Sequence, residues 1–179
     1  HYNDSQLAQL QTPSFDFKAE INGVFPEYSY PTNEVLTLKK GAQVMFVKND
    51  SSPLRQYYNG RIGRVKRIDQ ENIIVHCPGD DFDITVGVQE WENTRYVINK
   101  ETKEIEPDVQ GSFRQYPLRL AWAITIHKSQ GLTFEHAIID AGLSFASGQV
   151  YVALSRCKTL EGLVLASRID EKAIINDQR

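Results

Sequence analysis

Six polar side chains crowd the stretch Thr125-Ile126-His127-Lys128-Ser129-Gln130-Gly131-Leu132-Thr133. A largely apolar run from Leu118 to Ile126 leads into them, and a strand-like segment from Phe134 to Asp140 follows. Thr, His, Lys, Ser and Gln offer hydrogen-bonding groups rather than core contacts, so the stretch is suited to meet something polar. On a helix, Thr125, Lys128 and Ser129 fall within about a third of the circumference. A hydroxyl, an ammonium and a second hydroxyl on one face make a phosphate-contact set, with His127 projecting elsewhere. The same residues read alternatively as a solvated helix end with Lys128 favoured by the macrodipole, and His127 as a neutral structural histidine. Arg156 is the other candidate. Its planar fork suits a phosphate presented across a cleft, and it reads equally as a surface arginine.

Those residues need a frame. Leu118 to Ala121 reads as a buried strand, Trp122 to Gln130 as a helix, and Gly131 as its left-handed C-terminal cap. Ala137-Ile138-Ile139 is a second buried strand. Ser147 is placed to cap a helix from Gly148 to about Cys157, and Leu163-Val164-Leu165 is a third strand. Strand, helix, strand, helix, strand with short connections predicts a parallel sheet covered by helices. On the second helix Val150, Leu154 and Cys157 should face the sheet. Gln149, Val152, Ala153 and Arg156 lie on a different stripe, which holds Arg156 away from the core.

Ahead of this region the pattern is different. His1 to Leu10 carries Leu7 and Leu10 at helical spacing and reads as the tail of a helix. Thr12 to Thr32, rich in Pro and aromatics, reads as an irregular extended arm packed on a neighbour, with Asn22-Gly23 as a hairpin signal. Strands are predicted around Val35 to Leu38, Ala42 to Val47, Ile62 to Ile68, Ile73 to Val75 and Ile84 to Val86. Turns at Lys39-Lys40-Gly41, Asn59-Gly60 and Pro78-Gly79-Asp80 separate them. Tyr96-Val97-Ile98 and Asn99-Lys100-Glu101-Thr102 complete another hairpin. Short strands at this spacing indicate a small antiparallel barrel. The fold class expected is α/β plus β, with the barrel inserted ahead of or within the α/β sheet.

Charge divides along the chain. Lys39, Lys40, Lys48, Arg55, Arg61, Arg64, Lys66 and Arg67 stand against one acid, Asp50, whereas Asp69 to Asp108 is strongly acidic. One face could attract a polyanion although the formal net charge is −3; two solvated faces of a small barrel are the alternative. Hydrophobic content of 41% and charged content of 24% are those of a soluble globular protein. No apolar run is long enough to cross a bilayer, and Cys77 and Cys157 lack a CxxC spacing, so a reducing, cytoplasmic setting is expected.

Several chemistries are excluded. His76-Cys77 has no second ligand pair for zinc, so no metal site is expected. Ser129 and Ser155 lack the GxSxG elbow, and Asp80, Asp81 and Asp83 miss the glycine and glutamate of a calcium loop. No GxxxxGK[ST] is present in these 179 residues, so they cannot cradle a triphosphate as a P-loop does.

Thr125 to Thr133 resembles motif V of the superfamily-one helicases that move 5′ to 3′, the PIF-type and RecD/Dda-like group. Val152-Ala153-Leu154-Ser155-Arg156 is similar to their motif VI. Gly41 to Asn49 and Tyr58-Asn59-Gly60-Arg61-Ile62-Gly63-Arg64-Val65 resemble the lead-in to their inserted SH3-like barrel. In that family two RecA-like motor domains clamp ATP, the first supplying the P-loop and the magnesium-binding carboxylate. The resemblance implies that residues 113–179 are the C-terminal half of the second motor domain. It also implies that 35–112 are the inserted barrel, with 1–34 an arm and the end of a truncated motor-domain helix. Arg156 is then implied to be the arginine finger, with Gln130 and Gly131 beside the nucleotide. Thr125, His127, Lys128 and Ser129 would touch single-stranded DNA, joined by Arg61 and Arg64 on the barrel. ATP and Mg2+ would be bound mainly by the N-terminal motor domain of the same parent chain. The competing expectation is a stand-alone SH3-like module that binds protein or nucleic acid and has no ATPase role.

Overall fold

Period-two alternation of apolar and polar residues sets most of the strands. The computed structural model describes residues 2–70, 72–98, 103–141 and 148–169. The chain forms two compact units, His1–Ala123 and Ile124–Arg179. In the first, helix α1 (Tyr2–Gln9) precedes strands β1 (Ser14–Lys18), β2 (Glu20–Gly23), β3 (Val35–Lys39), β4 (Gln43–Phe46) and β5 (Ile62–Ile68). Strands β6 (Ile73–His76), β7 (Asp83–Val86), β8 (Gln89–Ile98), β9 (Ile105–Gln115) and β10 (Leu118–Leu120) complete it. The second unit holds β11 (Ala137–Ile139), helix α2 (Gln149–Leu154) and β12 (Leu163–Leu165).

The first unit is built from antiparallel sheets. Five strands run in the order β10-β4-β5-β6-β7, three in the order β2-β9-β8, and β1 pairs with β3. Strands and turns from Val35 to Val86 fall where the sequence predicts them, and so does α1. The inward positions Leu36, Leu38, Val44, Phe46, Val65, Ile73, Val75, Ile84 and Leu118 are at most 1% exposed and form one core. The β8–β9 hairpin is present, while its expected turn, Asn99 to Thr102, lies outside the described residues. Among the described residues no helix is long and apolar enough to cross a membrane.

Thr12 to Thr32 departs from its expected form. Rather than an arm on a neighbour, it contributes β1 and β2 to the sheets of its own unit. Asn22-Gly23 does not close a hairpin: Gly23 sits opposite Gly111. A Cβ on Gly111 would come within 2.6 Å of the Val24 backbone, so the two chains approach at a distance only glycine permits. The aromatics of the segment explain the outcome. Fully buried Phe113 on β9 is surrounded by Phe25, Tyr30 and Trp91 at ring distances of 5.6, 4.9 and 6.1 Å. Such pairs each add about 0.5–1.5 kcal/mol beyond burial. Buried Thr32 donates its hydroxyl to the Leu118 carbonyl at 2.6 Å.

Leu118 to Ala121 is likewise not a strand of the parallel sheet. Leu118 pairs with Phe46 and Leu120 with Val44, antiparallel, because an apolar run fixes burial but not direction. The predicted helix from Trp122 to Gln130 reduces to a 3-10 turn over His127–Ser129. β-Branched Ile124, Thr125 and Ile126 precede it, and such residues are poor helix formers. Among the described residues of the second unit the parallel sheet has two strands, β11 and β12, with Ala137 opposite Leu163 and Ile139 opposite Leu165. Ser147, the expected cap of α2, lies outside the described residues; Gly148 directly precedes the helix.

Candidate functional site

The tight turn of the second unit is organised around Ser129. Its N–H is shared between the Thr125 and Ile126 carbonyls at 3.1 Å each, and its hydroxyl donates to the Ile126 carbonyl at 2.7 Å. Ser129 is buried at 6% exposure, so it does not share an exposed face with Thr125 and Lys128. Those two remain exposed three residues apart, and the Thr125 hydroxyl accepts the Lys128 N–H at 3.3 Å. His127, Gln130 and Gly131 are exposed as well. Gly131, at φ +77° with open space where a Cβ would stand, turns the chain out of the 3-10 segment. A left-handed backbone, rather than crowding, calls for glycine there.

Past that glycine the chain meets α2. The Phe134 N–H donates to the Arg156 carbonyl at 2.8 Å, and the Lys158 N–H donates to the Phe134 carbonyl at 3.0 Å. These bonds form a parallel bridge between Phe134 and Cys157. Lys158 also pairs with Glu135 at 3.0 Å, which holds the Glu135 carboxyl below its ordinary value. Val150 and Ala153 are the buried positions of α2 and pack with Ile139 and Ala141. Ala153 therefore belongs to the inward face, not to the stripe expected to carry Arg156, while Leu154 and Cys157 are only half-buried.

Arg156 is half-buried and held by neutral acceptors. Its Nε donates to the Val152 carbonyl at 2.9 Å, Nη1 to the Leu132 carbonyl at 3.3 Å, and Nη2 to the Ser155 hydroxyl at 2.9 Å. Among the described residues no carboxylate forms an ion pair with it. A guanidinium has five N–H donors, so about two remain for an outside acceptor such as a phosphate oxygen. Through Leu132 the side chain is tied to the segment that leaves Gln130-Gly131, and the two polar blocks of the sequence become one site.

Arg61 and Arg64 lie in the first unit and differ from each other. Arg64 is exposed on β5, between Gln43 and His76 on the neighbouring strands. With Lys40, Gly41, Val65, Lys66 and His76 it lines a shallow concavity. Lys40 was legible only as part of a charge run, and His76 only as a rejected zinc ligand. Asp83 sits beside them, bonded to Lys66 at 2.6 Å and to His76 at 3.0 Å. Lys66 first, and His76 with it, pull the Asp83 carboxyl below its ordinary value. Arg61 is consumed internally: it pairs with Asp80, bonds the Gln56 carbonyl and lies 5.8 Å from the Tyr58 ring centroid. Among the described residues no three of His, Cys, Asp and Glu gather into a metal-ligand set.

Known proteins resemble this chain in sequence and in fold. The family model of the UvrD-like helicase C-terminal domain matches residues 120–164, which span both polar blocks. The chain is 32% identical over 214 residues to the ATP-dependent DNA helicase Pif1 of Psychrobacter sp. (strain PRwf-1), covering 94% of this chain and 32% of that protein. The solved structure of Bacteroides sp Pif1 in complex with ADP-AlF4 matches with a TM-score of 0.85 at 42% identity, over 98% of this chain and 39% of that one. Bacteroides Pif1 bound to ssDNA matches with a TM-score of 0.76, again at 42% identity, over 98% of this chain and 40% of that one. The chain thus spans less than half the length of these relatives. Matched in sequence and in fold over most of its length, the chain belongs to the Pif1 helicase family.

Proposed function

We propose that this chain is the second motor-domain portion of an ATP-dependent DNA helicase that moves 5′ to 3′ on single-stranded DNA. The observation that carries the proposal is the Arg156 guanidinium, anchored to Leu132 with no carboxylate partner among the described residues and with donors to spare. In this reading Arg156 reaches the γ-phosphate of ATP and stabilises charge as the phosphoryl group transfers. Gln130 and Gly131 lie on the nucleotide side of the same turn. Thr125, His127 and Lys128 offer their exposed groups to a DNA backbone, while Ser129 shapes the turn from within.

The residues present fit only one end of the nucleotide. The 179 residues hold no GxxxxGK[ST] loop, and among the described residues no three of His, Cys, Asp and Glu gather as a metal-ligand set; in this reading the N-terminal RecA-like motor domain of the parent chain supplies both functions. ATP bound between the two domains supplies the free energy of translocation; Arg156 supplies positioned charge. The sheets of the first unit are assigned as the inserted SH3-like barrel along the DNA path, with Arg64 as its exposed cation. Arg61 is placed beneath that surface by its ion pair with Asp80.

The test is a pair of measurements. The 179-residue chain alone should not turn over ATP, and sustained turnover by it would overturn the proposal. In the full-length protein Lys128→Ala should weaken single-strand binding and reduce the salt slope by about one. An unaltered slope would remove Lys128 from the phosphate contacts.

A further inference from the structure

The segment from Asn49 to Arg61, between β4 and β5, is pinned more firmly than its exposure requires. The Asp50 carboxylate accepts the N–H groups of Ser52 and Gln56, at 2.8 Å each, and the Ser52 hydroxyl at 2.9 Å. The Asp50 N–H donates to the Tyr57 carbonyl at 3.0 Å, and the Asn49 side chain accepts the Asn59 N–H at 2.8 Å. Tyr57 points inward, 6% exposed, and stacks on Phe46 at 4.2 Å. Its neighbour Tyr58 points outward and is 61% exposed, with the Arg61 guanidinium against its ring. Arg55, in the same segment, is exposed and held at φ +45°, a conformation that L-residues adopt only at a cost.

We propose that Tyr58 is a stacking platform for an unpaired nucleobase, with Arg55 engaging the backbone phosphate beside it. An exposed aromatic ring on a pinned loop, with an exposed arginine, Arg55, in the same segment, is an arrangement that suits single strands without reading their sequence. The surrounding charge selects that occupant. From Lys39 to Arg67 the chain carries eight basic residues and one acid, Asp50, which is spent on the loop itself; Arg61, Lys66 and Arg67 are answered by Asp80, Asp83 and Asp69, while Lys39, Lys40, Lys48, Arg55 and Arg64 form no ion pair among the described residues. An acidic polymer is therefore favoured over an apolar protein partner. The assignment rests on the helicase reading above and extends it to a contact that the sequence motifs do not contain.

The test is equilibrium binding of a labelled oligo(dT) to the full-length protein across a salt series. Tyr58→Ala should weaken binding about tenfold with the salt slope unchanged, and Tyr58→Trp should retain affinity. On an abasic oligonucleotide of the same length the wild-type protein should bind as weakly as Tyr58→Ala, and the substitution should cost nothing further. Wild-type affinity in Tyr58→Ala overturns the stacking assignment alone, as does an equal loss on the abasic strand. Failure of the wild-type protein to bind single strands overturns the helicase reading with it. Because the ring is mostly exposed, the substitution leaves the core intact.

Discussion

Arg61 and Arg156 carry the same guanidinium in the two compact units, yet they are wired in opposite ways. Arg61 faces a carboxylate, with side-chain exposures of 18% for Arg61 and 12% for Asp80, and it adds a carbonyl and a tyrosine ring. Its charge is answered inside the fold. Arg156 is oriented by two carbonyls and a hydroxyl, which hold the fork without neutralising it. In the proposed reading, the difference separates an arginine that braces a structure from one that can receive an anion. Residue type alone does not distinguish them; the sign of the nearest acceptor does.

The largest effect tests the uncompensated arginine. In the full-length protein Arg156→Ala should lower ATP turnover by about 10³-fold or more while single-strand binding persists, read by steady-state kinetics and anisotropy. Turnover within a few-fold of wild type would end the comparison. Arg61→Ala should act on stability instead, by about 3 kcal/mol, because it leaves Asp80 without its partner. Replacing both residues with apolar ones of similar size should recover most of that loss in thermal melts. If Arg61→Ala melts like wild type, the brace is illusory.

A smaller effect concerns aim. Gly131→Ala places a side chain at φ +77°, at a cost of about 1 kcal/mol, and shifts the segment whose Leu132 carbonyl holds Arg156. ATP turnover should fall more than melting stability if that carbonyl orients the fork. The smallest effect belongs to a third kind of cation, Lys66, paired in the open with Asp83. The Asp83 carboxyl titrates below its ordinary value chiefly because Lys66 bonds it. Its contribution to stability is therefore present above the unfolded-state pKa and disappears as pH falls through the lowered native value. Carboxyl resonances followed by NMR should show Asp83 rising toward its ordinary value in Lys66→Met. No change would mean that Lys66 does not hold it.

The sequence reveals unevenly what these experiments probe. Local signals worked: turns at Gly41, Gly60 and Gly79 and the alternating strands between them depend on neighbours a few residues apart. The pairing of Gly23 with Gly111 depends on residues 88 positions apart, and Asn22-Gly23 therefore looked like a hairpin. The helix expected across Trp122 to Gln130 failed because polar and β-branched side chains favoured a shorter turn, in which the Thr125 hydroxyl accepts the Lys128 N–H. Arg156 was visible through its motif, but its anchor at Leu132 was not. Arg61 looked like a ligand-facing cation because its carboxylate, Asp80, lies beyond two further strands of sequence.

Strand β10 adds a consequence for the order in which the chain can fold. It completes the five-stranded sheet by pairing with β4, which is synthesised more than seventy residues earlier. Between them come β5 to β9, so the first unit closes only after the whole ribbon has emerged. Pairings of such separation delay folding, since the loop must close before contacts reward it. Until Leu118 arrives, the β4 edge stands open with Val44 and Phe46 uncovered, and that interval is when the nascent chain is most exposed to misassociation.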